Sequence, residues 1–209
     1  FSVLQSSADA GPPLKVAIVC AAQREVLLAA DQAVQRGWIH PIFIGDPDAI
    51  KAEAEAAGLK INPDQILPAW GEKDAAARAA SLLKSGSTDI AMKGFIHTDV
   101  LFKALLDPDA GLRQPGMRVS HVFVADIPAY PKLLAITDAA VNIAPDLMAK
   151  AAILQNAIDV MGAFGVERPK AAVLSAVETV NPLIVSSLDA AALSVMAQRG
   201  QIRGGIIDG

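Results

Sequence analysis

One cysteine, one tyrosine and two tryptophans in 209 residues already exclude several kinds of protein. A lone thiol, Cys20, cannot build an intrachain disulfide framework, which points to a reducing compartment, and the chain is expected in the cytoplasm. Aromatics supply 4% of the residues and the hydrophobic set 53%, so the core must rest on many small aliphatic contacts. There is no basic excess. The formal net charge is −4 and the isoelectric point is near 5.3, which argues against a nucleic-acid partner. No apolar run reaches the ~18–20 residues of a membrane span, so no membrane is expected either. The N-terminal FSVLQSSADAGPP lacks the basic region and cleavage pattern of a signal peptide, and residues 1–13 read as a linker or cloning remnant. Walker loop, GxGxxG fingerprint, serine nucleophile elbow and metal-spaced His/Cys/Asp cluster are all missing.

What remains is a regular alternation. LKVAIVCA (Leu14 to Ala21) is a β-branched run suited to a strand buried on both faces. A helical pattern follows with Val26, Leu27, Ala30 and Val34, stopped by Gly37. The cycle repeats with a strand from His40 to Asp46, then a helix with Asp46 as N-cap, Pro47 at its first position and Gly58 as stop. QILPAW gives a weaker strand before the helix EKDAAARAASLLKSG, and DIAMKG (Asp89 to Gly94) precedes the short helix TDVLFKALL. Such alternation implies parallel βαβ units and a doubly wound sheet. The stretch from Asp107 to Arg118, with two prolines and two glycines, breaks the rhythm and marks a domain boundary or long loop. Beyond it, VSHVFVADIP and PKLLAIT lie too close for a crossover helix and are expected to pair antiparallel. A long helix from about Asp146 to Phe164, a strand KAAVLSA, a helix SLDAAALSVMAQRG and a strand in GGIIDG complete the chain. No helix follows to cover that last strand, so the second domain reads as incomplete at its C-terminus.

In open α/β sheets ligands bind outside the carboxyl ends of strands, and four polar clusters fall at such ends: MKGFIHTD, TDAAVN, SAVETVN and the final DG. In the first, Lys93 offers charge, Gly94 close backbone approach, and Thr98 or Asp99 a helix opening whose free N–H groups attract phosphate. A capped helix beside an exposed lysine explains the same residues. Asp138 and Asn142 suit either a cleft wall or an Asx-turn and capping network tying strand to helix. Ser175, Glu178 and Thr179 carry the same two readings, with Glu178 the one to face solvent or a cleft. His97 has no evident acid partner in the sequence, His121 reads as core or interface, and Cys20 as a buried inert thiol rather than a nucleophile.

The blocks AMKGFIHTDVLFKALLDPDAGLR, SHVFVADIPAY, ITDAAVNIAPDLMAKAAILQNAIDVMGAFGVERPKAAVLSAVETVNP and SLDAAAL..MAQRGQIRGGIIDG resemble the phosphate acetyl/butyryltransferase family, in its phosphate-butyryltransferase-like branch, from about Leu14 to Gly209. The resemblance implies an isocitrate/isopropylmalate-dehydrogenase-like fold: two α/β domains with mostly parallel sheets, here 14–112 and 113–209, and a cleft between them. It implies the reaction of acyl-CoA and phosphate to acyl phosphate and CoA, with coenzyme A a substrate, no bound cofactor, and a homodimer. It extends to enzymes fused downstream of an enoyl-CoA-hydratase-like domain. Substrate-binding candidates on this view are Lys93, His97, Thr98, Lys103, Asp138, Asn142, Ser175 and Glu178. Lys103 stands where the family has a phosphate-contacting arginine, and lysine is a point charge where arginine is a bidentate clamp. The family's catalytic Ser-Arg pair and nearby Asp have no counterpart here and are expected beyond Gly209, so the 209-residue piece is expected to turn over little or not at all. Two rivals follow from the same resemblance: a non-catalytic acyl-CoA-sensing domain, and an NAD-dependent dehydrogenase, which the lack of clustered aspartates disfavours. Acyl chain length is not legible, because methylenes differ by about 1 kcal/mol each.

Overall fold

The run LKVAIV forms the strand β1 (Leu14–Val19), and its alternation decides how the sheet is covered. Val16 and Ile18 face one side and Ala17 and Val19 the other, and all four are buried. The computed structural model describes residues 1–110, 112 and 116–209 of the chain. With β2 (Ile39–Gly45), β3 (Ile66–Pro68) and β4 (Ile90–Lys93), β1 makes an all-parallel sheet of order β3-β2-β1-β4. Helices α2 (Arg24–Gln35) and α3 (Pro47–Ala56) lie on the face of Val16, Ile18 and Phe43. Helices α4 (Glu72–Lys84) and α5 (Thr98–Leu105) lie on the face of Ala17, Val19 and Ile44. The buried face of α4 is Ala75, Ala76, Ala79 and Ala80, small side chains that let the helix sit close to the sheet. Fully buried Ile18, Leu27, Ile44 and Ile50 each contribute roughly 1.5–3 kcal/mol. This is the doubly wound pattern expected for the first part of the chain. Asp46 caps α3 as expected, its carboxylate accepting from Asp48 N at 2.9 Å and Ala49 N at 3.3 Å.

The segment expected to be a linker is helical over Ser2–Ala10 (α1). It has no Gly or Pro before Gly11 to break a helix. Asp9 accepts from the Trp38 indole at 2.7 Å, and the Arg36 guanidinium lies 4.7 Å over the Trp38 ring.

The chain divides into two compact units, Ser2–Pro115 and Gly116–Gly209 together with Phe1. The boundary placed between 112 and 113, and residues 111 and 113–115 of the proline–glycine break, lie outside the described residues. In the second unit β5 (Phe123–Ala125) and β6 (Leu134–Ile136) pair antiparallel. The helix α6 (Leu147–Ala163), capped by Asp146, packs with α7 (Val185–Gln198), and a 2.6 Å ion pair joins Lys150 to Asp189. The strands β7 (Lys170–Ala172) and β8 (Ile206–Asp208) pair parallel beneath them. β5 and β7 are shorter than their apolar runs suggested. At β5 the reason is visible: side chains of Thr137, Asp138 and Asn142 bond the backbone of Val119 and His121 where a partner strand would.

At the carboxyl end of β4, the Gly94 N–H donates to the Val19 carbonyl and the Phe95 N–H to the Cys20 carbonyl, each at 2.9 Å. A Cβ on Gly94 would sit 2.5 Å from both carbonyl oxygens. The close approach that glycine permits is therefore to the neighbouring strand. Gly94→Ala should cost about 1–3 kcal/mol or more, read as a lowered denaturant midpoint; unchanged stability would show that the two strand ends are not held this close.

Candidate functional site

The chain lays β1, β2 and β3 outward in one direction, then returns to place β4 on the other side of β1. The strand order reverses between β1 and β4, and in such sheets that crevice is where ligands bind. The Gly94 and Phe95 hydrogen bonds close the floor of this corner. Three residues later the chain enters α5, with His97 as an N-cap that makes no side-chain cap bond. First-turn amides of a helix lack intrahelical acceptors and favour an anion.

Glu72, the first residue of α4, gives both carboxylate oxygens to His97. Oε1 lies 2.7 Å from the ring Nδ1, and Oε2 accepts from the His97 backbone N–H at 3.3 Å. The histidine side chain stays 78% exposed while Glu72 is 32% exposed, so the partner is fixed and the imidazole is open. A groove of about 320 Å³ runs over the strand ends beside this pair, lined by Cys20, Asp46, Trp70, Glu72 and Phe95 among others. Trp70 and Phe95 are 68% and 71% exposed, so two aromatic faces flank it. The Trp70–Gly71 turn is held by Trp70 N–H donating to Asp74 at 3.0 Å. Burial, and then the charge of Glu72, push the Cys20 thiol above its usual range, so Cys20 is a protonated wall group rather than a nucleophile.

Of the residues named from the sequence, Lys93, His97 and Thr98 come together at this corner. Lys93 is exposed at the end of β4, its Nζ 3.4 Å from the Gly94 carbonyl. Lys103 does not join them. It lies in the last turn of α5, about 7–8 Å along the axis from Thr98. Glu72 was missed, because nothing in the sequence ties an acid to a histidine 25 positions later. The usable signal was topological: α4 and α5 cover one face, so their N-termini open at the same sheet edge.

In the second unit Asp138 and Asn142 are half-buried and joined to each other. Asp138 Oδ1 accepts from Ala140 and Val141 N–H, both at 2.9 Å, and Oδ2 from His121 N–H at 3.3 Å and Asn142 Nδ2 at 2.6 Å. Asn142 also donates to the Val119 carbonyl at 3.0 Å and accepts from Arg118 at 2.8 Å. Every polar atom of the two side chains is spent on the protein itself, which is the geometry of a brace. His121 contributes its backbone to that brace, and its ring meets Phe123 edge-on at 4.0 Å between centroids. Ser175 shares a 2.9 Å hydroxyl contact with Ser186. Glu178 and Thr179 are exposed, without a polar partner among the described residues.

Burial acts to raise the Asp138 carboxyl, but the four hydrogen bonds outweigh it and hold the group at about 2, below the ordinary 3.8. A depressed carboxylate stabilises the fold fully above its ordinary value and loses that contribution as pH falls toward its folded value. Asp138→Asn would turn an amide donor toward donors of His121 and Asn142, at a cost of roughly 1–3 kcal/mol. The difference from wild type, measured by thermal unfolding, should be complete above about pH 4–5 and shrink between about pH 4 and 2. A pH-independent difference would contradict the charged network.

A family model described as phosphate acetyl/butaryl transferase matches residues 71–209. The phosphate acetyltransferase of Rhizobium meliloti is 41% identical over 209 residues, which is 100% of this chain and 66% of that protein. The phosphate butyryltransferase of Clostridium acetobutylicum is 39% identical over 195 residues, 93% of this chain and 64% of that protein. The chain thus spans somewhat under two thirds of the length of these relatives. Among solved structures, a branched-chain phosphotransacylase from Enterococcus faecalis V583 aligns with a TM-score of 0.75 at 28% identity, over 94% of this chain and 67% of that one. A phosphotransacetylase from Staphylococcus aureus, at 19% identity and a TM-score of 0.74, shares the fold. With a family match over residues 71–209 and about 40% identity to relatives along nearly its whole length, the chain belongs to the phosphate acetyl/butyryltransferase family.

Proposed function

We propose that the protein to which this chain belongs interconverts a short-chain acyl-CoA and phosphate with acyl phosphate and CoA. Family membership carries this reading, and the open corner between β1 and β4 supports it. There, Lys93 and the first-turn amides from Thr98 onward offer an anion the two things it needs, charge and N–H donors. Phosphate held at this corner attacks the thioester carbonyl. The carbon–sulfur bond breaks, and CoA leaves as a thiolate. An oxyanion develops between two anionic reactants, so stabilising donors must be fixed before reaction. Lys103, in the last turn of α5, stands away from this corner and adds only long-range positive charge. Within the second unit, Asp138 and Asn142 act by bracing their loop.

The reading further takes the two units as the domains of an isocitrate/isopropylmalate-dehydrogenase-like fold, acting as a cytoplasmic homodimer. Ile143, Leu174 and Leu183, 85–96% exposed, are side chains that such a pairing would cover. An upstream enoyl-CoA-hydratase-like domain is part of the same reading. Because the family's Ser-Arg pair and nearby Asp have no counterpart among these residues, the 209-residue chain alone should turn over slowly or not at all.

The test is thiol release by the native full-length protein with acetyl-, propionyl- and butyryl-CoA. At least one should give turnover that requires phosphate. Lys93→Met should raise the phosphate KM roughly tenfold, the loss of one charge-assisted contact. Release that does not depend on phosphate, or none with any acyl-CoA, would overturn the assignment.

A further inference from the structure

The carboxylate of Glu72 occupies a place at the start of α5 that a bound anion would otherwise share. Oε2 accepts from the His97 backbone N–H at 3.3 Å, and Oε1 lies 2.7 Å from the ring Nδ1. The amide of an N-cap is the first of the four that a helix leaves without an intrahelical acceptor, and here another helix fills it with a negative charge. The amides from Thr98 onward remain for a ligand. Within the first unit the charged groups at this edge nearly balance. Lys93 ends β4 and Lys73 is exposed in the first turn of α4, while Glu72 and Asp99 lie in the first turns of α4 and α5. Asp74 is paired with Arg78 at 3.0 Å, and Asp46 is spent on capping α3. Where charges cancel this closely, one proton decides the sign of the local field.

The charge of Glu72 reaches over the groove: after burial, it is the second cause that pushes the Cys20 thiol up. A protonated Cys20 leaves imidazole as the group type at this edge that ordinarily titrates between about pH 5 and 8. With the ring neutral, Nδ1–H donates to Glu72 and the pair carries the full negative charge of the carboxylate. With the ring protonated the pair is neutral, and Nε2, which has no polar partner among the described residues, becomes a second N–H donor. The ring is 78% exposed, so its proton exchanges with solvent without any movement of the backbone. We propose that the Glu72–His97 pair is a proton-operated control on phosphate affinity at this corner: phosphate binds well when the imidazole is protonated and is repelled by Glu72 when it is not. This rests on the transferase reading above, in which the corner holds phosphate. The pair makes and breaks no bond of the reactants and sets only how tightly the anion is held. At a separation of roughly 5–6 Å, under partial solvent screening, one uncompensated charge changes anion affinity roughly tenfold.

Sulfate tests this cleanly, because its charge stays fixed over this pH range while that of phosphate does not. Binding is read on the native full-length protein at constant ionic strength, from the amide shifts of residues 94–100. For the wild type the sulfate Kd should rise roughly tenfold from about pH 5.5 to about pH 8. His97→Asn should bind at the weak alkaline level of the wild type at every pH. Glu72→Gln should bind roughly tenfold tighter than the wild type at about pH 8, and its phosphate KM in thiol release should fall by a similar factor with the acyl-CoA KM unchanged. The double variant should bind tightly and without pH dependence, which a merely structural pair would not give. If His97→Asn keeps the wild-type pH slope, or Glu72→Gln binds no tighter at about pH 8, while the wild type catalyses phosphate-dependent transfer, the control falls and the transferase reading stands. If the wild type transfers no acyl group, both fall together.

Discussion

Two backbone hydrogen bonds, from Gly94 to Val19 and from Phe95 to Cys20, set everything at the candidate site. They pull the end of β4 against the end of β1 until only a residue without a side chain fits at 94. The main chain leaving this contact can then turn only a short distance before α5 begins. That fixes where His97 sits, where the first-turn amides point and which acid is close enough to meet the imidazole. A parallel sheet buried on both faces supplies the rigidity, because Ala17 and Val19 on one side and Val16 and Ile18 on the other leave β1 no freedom to shift. Chemistry placed at strand ends inherits the precision of the core.

The second unit solves a related problem by other means. The backbone from Val119 to His121 has no full strand partner, yet the Val119 carbonyl and both the N–H and the carbonyl of His121 are bonded. Thr137, Asp138 and Asn142 reach across and stand in for a ladder. Burying polar side chains is costly unless each finds a partner, and here each does. The outcome is a loop held as firmly as a strand, by groups whose pairing depends on charge.

Much of the fold was legible in the sequence because the signals were local. A β-branched run long enough for one strand, Asp46 before Pro47, Gly37 and Gly58 as stops, and Asp146 ahead of a long apolar helix each act within a few residues. The polar character of Thr137, Asp138 and Asn142 was also visible, though the sequence could not say whether they faced a ligand or the protein's own backbone. That choice depends on Val119 and His121, some twenty positions earlier, and on how far the hairpin ladder extends. Gly94 was read as room for a ligand, whereas the neighbour it admits is the end of β1, a fact of strand order. Glu72 escaped notice for the same reason. An acid in the first turn of a helix is ordinary, and its meaning appears only when another helix starts beside it. The residues 1–13, low in apolar periodicity, gave no sign of the contact between Asp9 and Trp38.

The central claim is that the corner between β1 and β4 is the anion-binding edge of this family member. Titration of inorganic phosphate, followed by amide chemical shifts in two-dimensional NMR, tests it most directly. Saturable shifts should concentrate on the amides of residues 94–100 and on Glu72. Saturable shifts elsewhere, with this corner unchanged, would contradict the account.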